Sequence, residues 1–285
     1  MTETPLEMLD PSALPGIAEL CRRSLDRPPA QDELGDCLFA ADQPAIVRGD
    51  PGVGVVAAVP SEEGGSIRLL AVDPGHQGQG HGHRLLRAAE DDLRAGCEGR
   101  TVVSVGADPP YYLFPGVETT QLAMLCLLER EHYARADATF NMDVDLSALP
   151  GPEPDGPWVA GPGDRAGVDA FVSEQWPNWR QEALRALHKG TLVIGRDAGG
   201  ITGFCAWDVN RRGQLGPVAV RLDLMGKGAG APLLDAALHH MRRAGWKTIE
   251  VAWVGPIVPY ARVGGTVGRV FFVYRKTFEG PNRSM

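Results

Sequence analysis

The chain repeats itself, and that limits what it can fold into. A strand, a glycine-rich turn and a helix occur twice, with the second copy 148 residues after the first. Residues 66–73 read as a strand that runs into Pro74-Gly-His-Gln-Gly-Gln-Gly-His-Gly82. A helix follows, with Leu85, Leu86, Ala89 and Leu93 on one face and Gly96 as its stop. Residues 214–220 read as a second strand, leading into Arg221-Leu-Asp-Leu-Met-Gly-Lys-Gly-Ala-Gly230. The next helix carries Leu233, Leu234, Ala237, Leu238 and Met241, and Gly245 stops it. One offset maps Val72 onto Val220, Gly80 and Gly82 onto Gly228 and Gly230, and Leu85-Leu86 onto Leu233-Leu234. Such a chain folds as two copies of one unit, and 285 residues is the length for two domains.

The flanks repeat as well. Residues 11–22 and 31–40 read as helices before a strand pair at 45–48 and 53–60. Residues 164–174 and 178–188 read as helices before a hairpin at 191–196 and 201–208. Between the halves, Pro150-Gly-Pro-Glu-Pro-Asp-Gly-Pro157 holds four prolines in eight residues, which fit neither a helix nor a central strand. The expected division is a domain over 1–147, a Pro/Gly linker over 148–157 and a domain over 158–285. The fold class is α/β, two tandem domains, each a mixed central sheet flanked by helices.

Composition narrows the class of partner. The 28 Lys and Arg against 36 Asp and Glu leave a net charge of −8, so nucleic acid is not expected as a partner. No apolar run is long enough for a membrane span, and the N-terminus lacks a basic start followed by an apolar core. The cysteines, Cys21, Cys37, Cys97, Cys126 and Cys205, are odd in number and scattered, which argues against a disulfide framework or a zinc site. His76, His81 and His83 cluster on the first turn without a matching fourth ligand, so no metal is expected. A cytoplasmic protein, monomer or homodimer, is the expectation.

A glycine turn between a strand and a helix cradles phosphate, because backbone amides converge there and glycine lets a ligand approach. The dinucleotide pattern G-x-G-x-x-G fails in its last spacing in both copies, and Gly226-Lys-Gly228 lacks the Ser or Thr of a P-loop. Gln77-Gly-Gln-Gly-His-Gly82 fits Gln/Arg-x-x-Gly-x-Gly/Ala at every position. With its preceding strand and following helix, it resembles the GCN5-related N-acetyltransferases (GNAT), and the whole chain resembles a tandem pair of GNAT-like domains. The second copy keeps the glycines but has Met225 where the family carries Gln or Arg.

The resemblance implies an acyl-CoA-dependent N-acyltransferase, with acetyl-CoA or another acyl-CoA as co-substrate and a small-molecule amine attacking the thioester directly. It implies donor contacts at Val72, Gln77, Gly78, Gln79, Gly80, His81 and Gly82, and at Ala219, Val220, Met225, Gly226, Lys227, Gly228, Ala229 and Gly230. It implies a tyrosine that protonates the departing thiolate, four residues before a glycine. Tyr260-Ala-Arg-Val-Gly264 supplies this in the second half; the first half has Leu128 and His132 at those positions. The C-terminal domain is therefore the expected catalytic one, and the N-terminal domain binds CoA weakly or serves as scaffold. The alternative for Tyr260 is an ordinary half-buried tyrosine. Trp176 and Trp179 are candidate acceptor-binding residues, or else a hydrophobic clasp. Asp208 is a further candidate toward the acceptor. The aromatic stretch at 109–116 reads as pocket wall or as packing. Competing readings keep the fold with an acyl carrier protein or aminoacyl-tRNA donor, or leave a non-catalytic acyl-CoA-binding protein.

Overall fold

The computed structural model describes residues 6–40, 42–62, 64–95, 101–149 and 151–279. The expected helix stop Gly96, the linker residue Pro150 and Cys97 lie outside them. The chain forms two compact units, residues 1–139 with 270–285, and residues 140–269.

The first unit begins with helices α1 (Leu14–Ser24) and α2 (Gln31–Leu38), then strands β1 (Ile46–Asp50), β2 (Gly54–Ser61) and β3 (Gly64–Val72). Helix α3 (His81–Ala95), strand β4 (Thr101–Val105), the short β5 (Val117–Glu118) and helix α4 (Leu122–Arg130) follow. The i, i+1, i+4, i+8 stripe of α3 puts Leu85, Leu86, Ala89 and Leu93 against Val56, Ile67, Val103 and Val105 on one sheet face. Helices α1 and α2 cover the other face, with Ile17, Leu20, Leu34 and Leu38 against Val47, Val55 and Leu69.

The second unit repeats the plan. After β7 (Trp158–Val159) come α5 (Arg165–Gln175), α6 (Arg180–Lys189), β8 (Leu192–Asp197), β9 (Gly200–Trp207) and β10 (Gln214–Val220). Helix α7 (Gly230–Arg243), strand β11 (Thr248–Val251) and helix α8 (Val258–Arg262) complete it. Leu233, Leu234, Ala237, Leu238 and Met241 on α7 pack on Val193, Leu215, Ile249 and Val251. Val168, Val172, Ala183 and Ala186 on α5 and α6 pack on Leu192, Ile194 and Phe204.

The long strands after α4 and α8 are β6 (Ala134–Asp145) and β12 (Thr266–Phe278). The unit of β1–β4 receives its last strand from the far end of the chain: β12 pairs antiparallel with β4, Tyr274 opposite Val105. The other unit receives β6, whose Met142–Asp145 stretch pairs with β11. Within the first unit the strand order is thus β1-β2-β3-β4-β12, and within the second β7-β8-β9-β10-β11-β6. The chain passes between units at 139/140 and again at 269/270, whereas the sequence pointed to a single division at 148–157. Proline density marks where a strand cannot form, not where two hydrophobic cores part. Among the described residues no helix is long and apolar enough to cross a membrane.

Candidate functional site

In each unit the site is set by two parallel strands that part. β3 pairs with β4 only from Gly64 to Ile67, and β10 pairs with β11 only at Gln214 and Leu215. A bulge causes the parting. Ala58 lies opposite Ile67 and Ala57 opposite Leu69, so Arg68 is an extra residue in β3. Leu215 lies opposite Trp207 and Val218 opposite Cys205, so Gly216 and Pro217 face a single partner across the ladder. Beyond each bulge the strand keeps its antiparallel neighbour and opens toward the other side. Asp73 N–H donates to Val53 O (2.9 Å) and Arg221 N–H to Thr202 O (2.8 Å). By strand alternation the amides of Val72 and Val220 therefore point into the two openings.

The glycine turns follow with matched geometry. Gly78 and Gly80 have φ of +73° and +89°; Gly226 and Gly228 have +73° and +82°. A Cβ on any of these four would meet nothing within 4 Å, so left-handed backbone, not crowding, calls for glycine. Left-handed backbone in a turn just before a helix start is the kind of geometry that makes an anion-binding concavity of backbone amides.

The side chains around the two turns differ. In the first unit Gln77 Nε2 donates to Val72 O (3.2 Å), and Gln79 Nε2 to Gly75 O (3.1 Å). Both glutamines thus brace the turn instead of reaching outward. His81 stands edge-on to His76 at 6.0 Å. In the second unit Met225 cannot donate, and its side chain is exposed. Val220 O instead accepts from the Trp176 indole Nε1 (2.9 Å), and Gln175 Oε1 accepts from Leu222 N–H (2.9 Å). The end of α5 thus supplies the brace that the turn lost. Trp179 stacks on Trp176, centroids 5.0 Å apart and planes 15° apart. Lys227 is exposed on this turn and Ala229 half-buried, and after the bond from Arg221 the Lys227 charge helps hold the Asp223 carboxyl below its ordinary range.

The first unit has a cleft of about 440 Å3 lined by Leu70–Val72 of β3, Gly78, Gly80 and Gly82, and Met124, Leu127, Arg130 and Glu131 from α4 and its end. At its rim Glu131 accepts from Arg87 Nη2 (2.7 Å) and lies 2.8 Å from His83 Nδ1. Burial would raise the Glu131 carboxyl, but His83, Arg87 and Lys276 outweigh it and hold the group below its ordinary range.

The family model for the acetyltransferase (GNAT) domain matches residues 34–113, which include the first strand–turn–helix. That stretch, 80 of the 285 residues, is similar to a GNAT acetyltransferase domain. The whole fold of the chain is that of tandem GNAT structures. The GNAT protein of Sphaerobacter thermophilus superposes with a TM-score of 0.70 over 97% of this chain and 96% of that one, at 20% identity. A tandem GNAT protein from the clavulanic acid biosynthesis pathway, solved without AcCoA, gives 0.67 over 98% and 100%, at 18% identity. The GCN5-related glucosamine N-acetyltransferase region of a fungal multi-domain GH3 β-N-acetylglucosaminidase gives 0.75 over 95% of this chain, at 20% identity. This chain spans 38% of the length of that fungal protein. No curated protein matches the sequence.

Within this GNAT frame the candidate residues fall into three groups. The two turns, with Val72 in one and Ala219 and Val220 in the other, stand beside the parted strands. Tyr260 sits on α8, four residues before Gly264, whose φ is +83°. His132, the matching residue after α4, has φ +63°, so Leu128 occupies the position of Tyr260. The Tyr260 ring is buried, and its hydroxyl has no hydrogen-bond partner among the described residues. Burial pushes its phenol pKa up, with a further push from Cys205. Asp208 stands apart: it has φ +52°, accepts from Gly213 N–H (2.6 Å), and lies at the opposite end of β10 from the glycine turn. It is a turn residue. Glu250 is likewise committed, accepting from Asn141 (2.8 Å), Gln214 (3.3 Å) and Arg269 (3.4 Å). Among the described residues no three His, Cys, Asp or Glu gather as metal ligands.

Sequence reasoning missed the bulge residues. Arg68, the one in the first unit, is buried; its Nε donates to Asp108 Oδ2 (2.6 Å), its Nη1 to Cys37 O, and the guanidinium lies 5.7 Å from the Tyr111 ring centroid. The stretch at 109–116 is thus packing around an ion pair, with Leu113 fully buried. The matching position in the second unit is Gly216, where a Cβ would meet only Ala252 O, at 3.9 Å. A Gly-Pro inside an apolar strand is the sequence signal for such a break.

Proposed function

We propose that the chain is an acyl-CoA-dependent N-acyltransferase, with acetyl-CoA as donor and a small-molecule amine as acceptor. Turnover belongs to the C-terminal unit. The observation that carries this is that one unit has both Tyr260 and an open bulge at Gly216, where the other has Leu128 and the Arg68–Asp108 pair. The N-terminal unit keeps a cleft for the donor but lacks the acid, and a buried guanidinium stands at its bulge.

The residues divide the chemistry. The turn amides and Lys227 hold the pyrophosphate, and the parted strands admit the thioester. The Val220 amide donates to the carbonyl oxygen as charge gathers on it. A neutral amine attacks the carbonyl carbon, a C–N bond forms, and the C–S bond breaks. Tyr260 O–H protonates the leaving thiolate, and the proton shed by the new ammonium restores the phenol through solvent. A general base need not be assigned when the amine arrives unprotonated. The neighbours described as a glucosamine N-acetyltransferase region and a clavulanic acid pathway protein support a small acceptor.

The test is amine-dependent thiol release from acetyl-CoA across an amine panel. Tyr260→Phe should lower kcat by roughly 10²-fold or more, with little change in KM for the donor. Undiminished turnover in that variant would remove Tyr260 from the mechanism.

A further inference from the structure

On the sheet of the N-terminal unit, away from its glycine turn, a row of polar side chains crosses three strands. Ser66 of β3 pairs with Ser104 of β4, and Ser104 pairs with Arg275 of β12. Positions paired across a sheet project to one face. These three, with Gln43 and Asp108, line a cavity of about 230 Å3. None of its lining residues lines the larger cleft. Six residues of strand separate Ser66 from Val72, roughly 20 Å.

The cavity presents polar groups that the fold does not use. Ser66 is 4% exposed, and its hydroxyl has no hydrogen-bond partner. Ser104 Oγ makes one long bond, 3.4 Å to Gly65 O. The Arg275 guanidinium has no partner among the described residues. Both Arg68 bonds to Asp108 fall on Oδ2 (2.6 Å from Nε and 2.5 Å from Nη2), which leaves Oδ1 open. Leaving a buried hydroxyl unbonded is costly, and a ligand oxygen here would relieve that cost.

The chemistry selects a ligand class. A guanidinium beside two hydroxyls recognises a carboxylate. A carboxylate oxygen with no bond of its own recognises an ammonium. Both signs in one small cavity favour a molecule that carries both. The volume equals that of about eight water molecules, room for a compact metabolite. We propose that this cavity binds a small zwitterion of the free α-amino-acid class, separately from the donor cleft.

Calorimetric titration of the full chain with the common free L-amino acids tests this, with acetate and methylamine as half-ligands. At least one amino acid should bind, and each half-ligand alone should bind at least about tenfold more weakly. Arg275→Gln and Ser66→Ala should each weaken that binding at least about tenfold. Acetyl-CoA affinity, titrated separately on the same variants, should not change. No binding by any amino acid, acetate binding as tightly as the amino acid, or unchanged affinity in either variant would overturn the proposal. Because the donor is titrated apart, failure of the acyl-CoA reading would leave this result interpretable.

Discussion

At the scale of single residues, burial raises two titratable groups, and each gives its own pH signature. Burial keeps Tyr260 protonated above the ordinary phenol range, so in its proposed role the acid is not lost below about pH 10. The rate should rise with pH as the amine deprotonates and should not turn down before that point; a fall near pH 8 would contradict the assignment. Glu182 on α6 is almost fully buried, and burial pushes its carboxyl up to about 8, against a smaller pull from Arg185. Its folded value is raised, so its neutral form suits the fold. Below about pH 4.5 both states are protonated and nothing is lost. Between about 4.5 and 8 the unfolded chain ionises while the folded one does not, and stability falls through that window. Glu182→Gln should therefore raise the unfolding free energy at pH 8 by up to about a few kcal/mol, and leave it unchanged near pH 4. Denaturation at the two pH values reads this directly.

Single elements show how much could be read from the sequence. The stripes on α3 and α7 were legible, because burying one helical face on a sheet requires a 3.6-residue period. So were the glycines at 78, 80, 226 and 228, because left-handed backbone needs them. The turn braces were not. Trp176 reads from sequence as an acceptor wall or a hydrophobic clasp, and neither reading contains the bond its indole makes to Val220 O, which depends on how α5 meets β10. Arg68 sits in a pattern that gives no hint of a bulge, since the extra residue shows only when β2 is laid beside it. The brace gives a prediction with an internal control. Trp176→Phe leaves Val220 O unbonded and should raise KM for acetyl-CoA while kcat changes less. Adding Met225→Gln should restore KM, because Gln77 performs that task in the other unit. Failure of the second substitution to rescue would mean that Trp176 acts through something else.

At the scale of the whole molecule, the strand exchange is the property the repeat did not reveal. A repeat tells how many units form, not which stretch of chain closes each sheet. Phe271 and Tyr274 of β12 are fully buried, and Tyr274 belongs to the core beneath α3. Met142 and Val144 of β6 belong to the core beneath α7. Residues 1–147 and 148–285 expressed apart should each lack a closing strand and fail to fold, while co-expression should recover a soluble complex. Circular dichroism of each fragment checks this, and cooperative melting of either alone would refute it.

The claim that turnover belongs to the C-terminal unit is tested most directly by blocking one turn at a time. A Cβ at Gly226 or Gly228 meets no protein atom within 4 Å and, on the proposed reading, would stand where the donor approaches, and the same holds for Gly78 and Gly80. The measurement is amine-dependent thiol release from acetyl-CoA by the double variants Gly226→Val with Gly228→Val and Gly78→Val with Gly80→Val, each confirmed folded. We predict that the first loses turnover and the second keeps it; loss in the second with retention in the first would place the chemistry in the N-terminal unit and contradict the account.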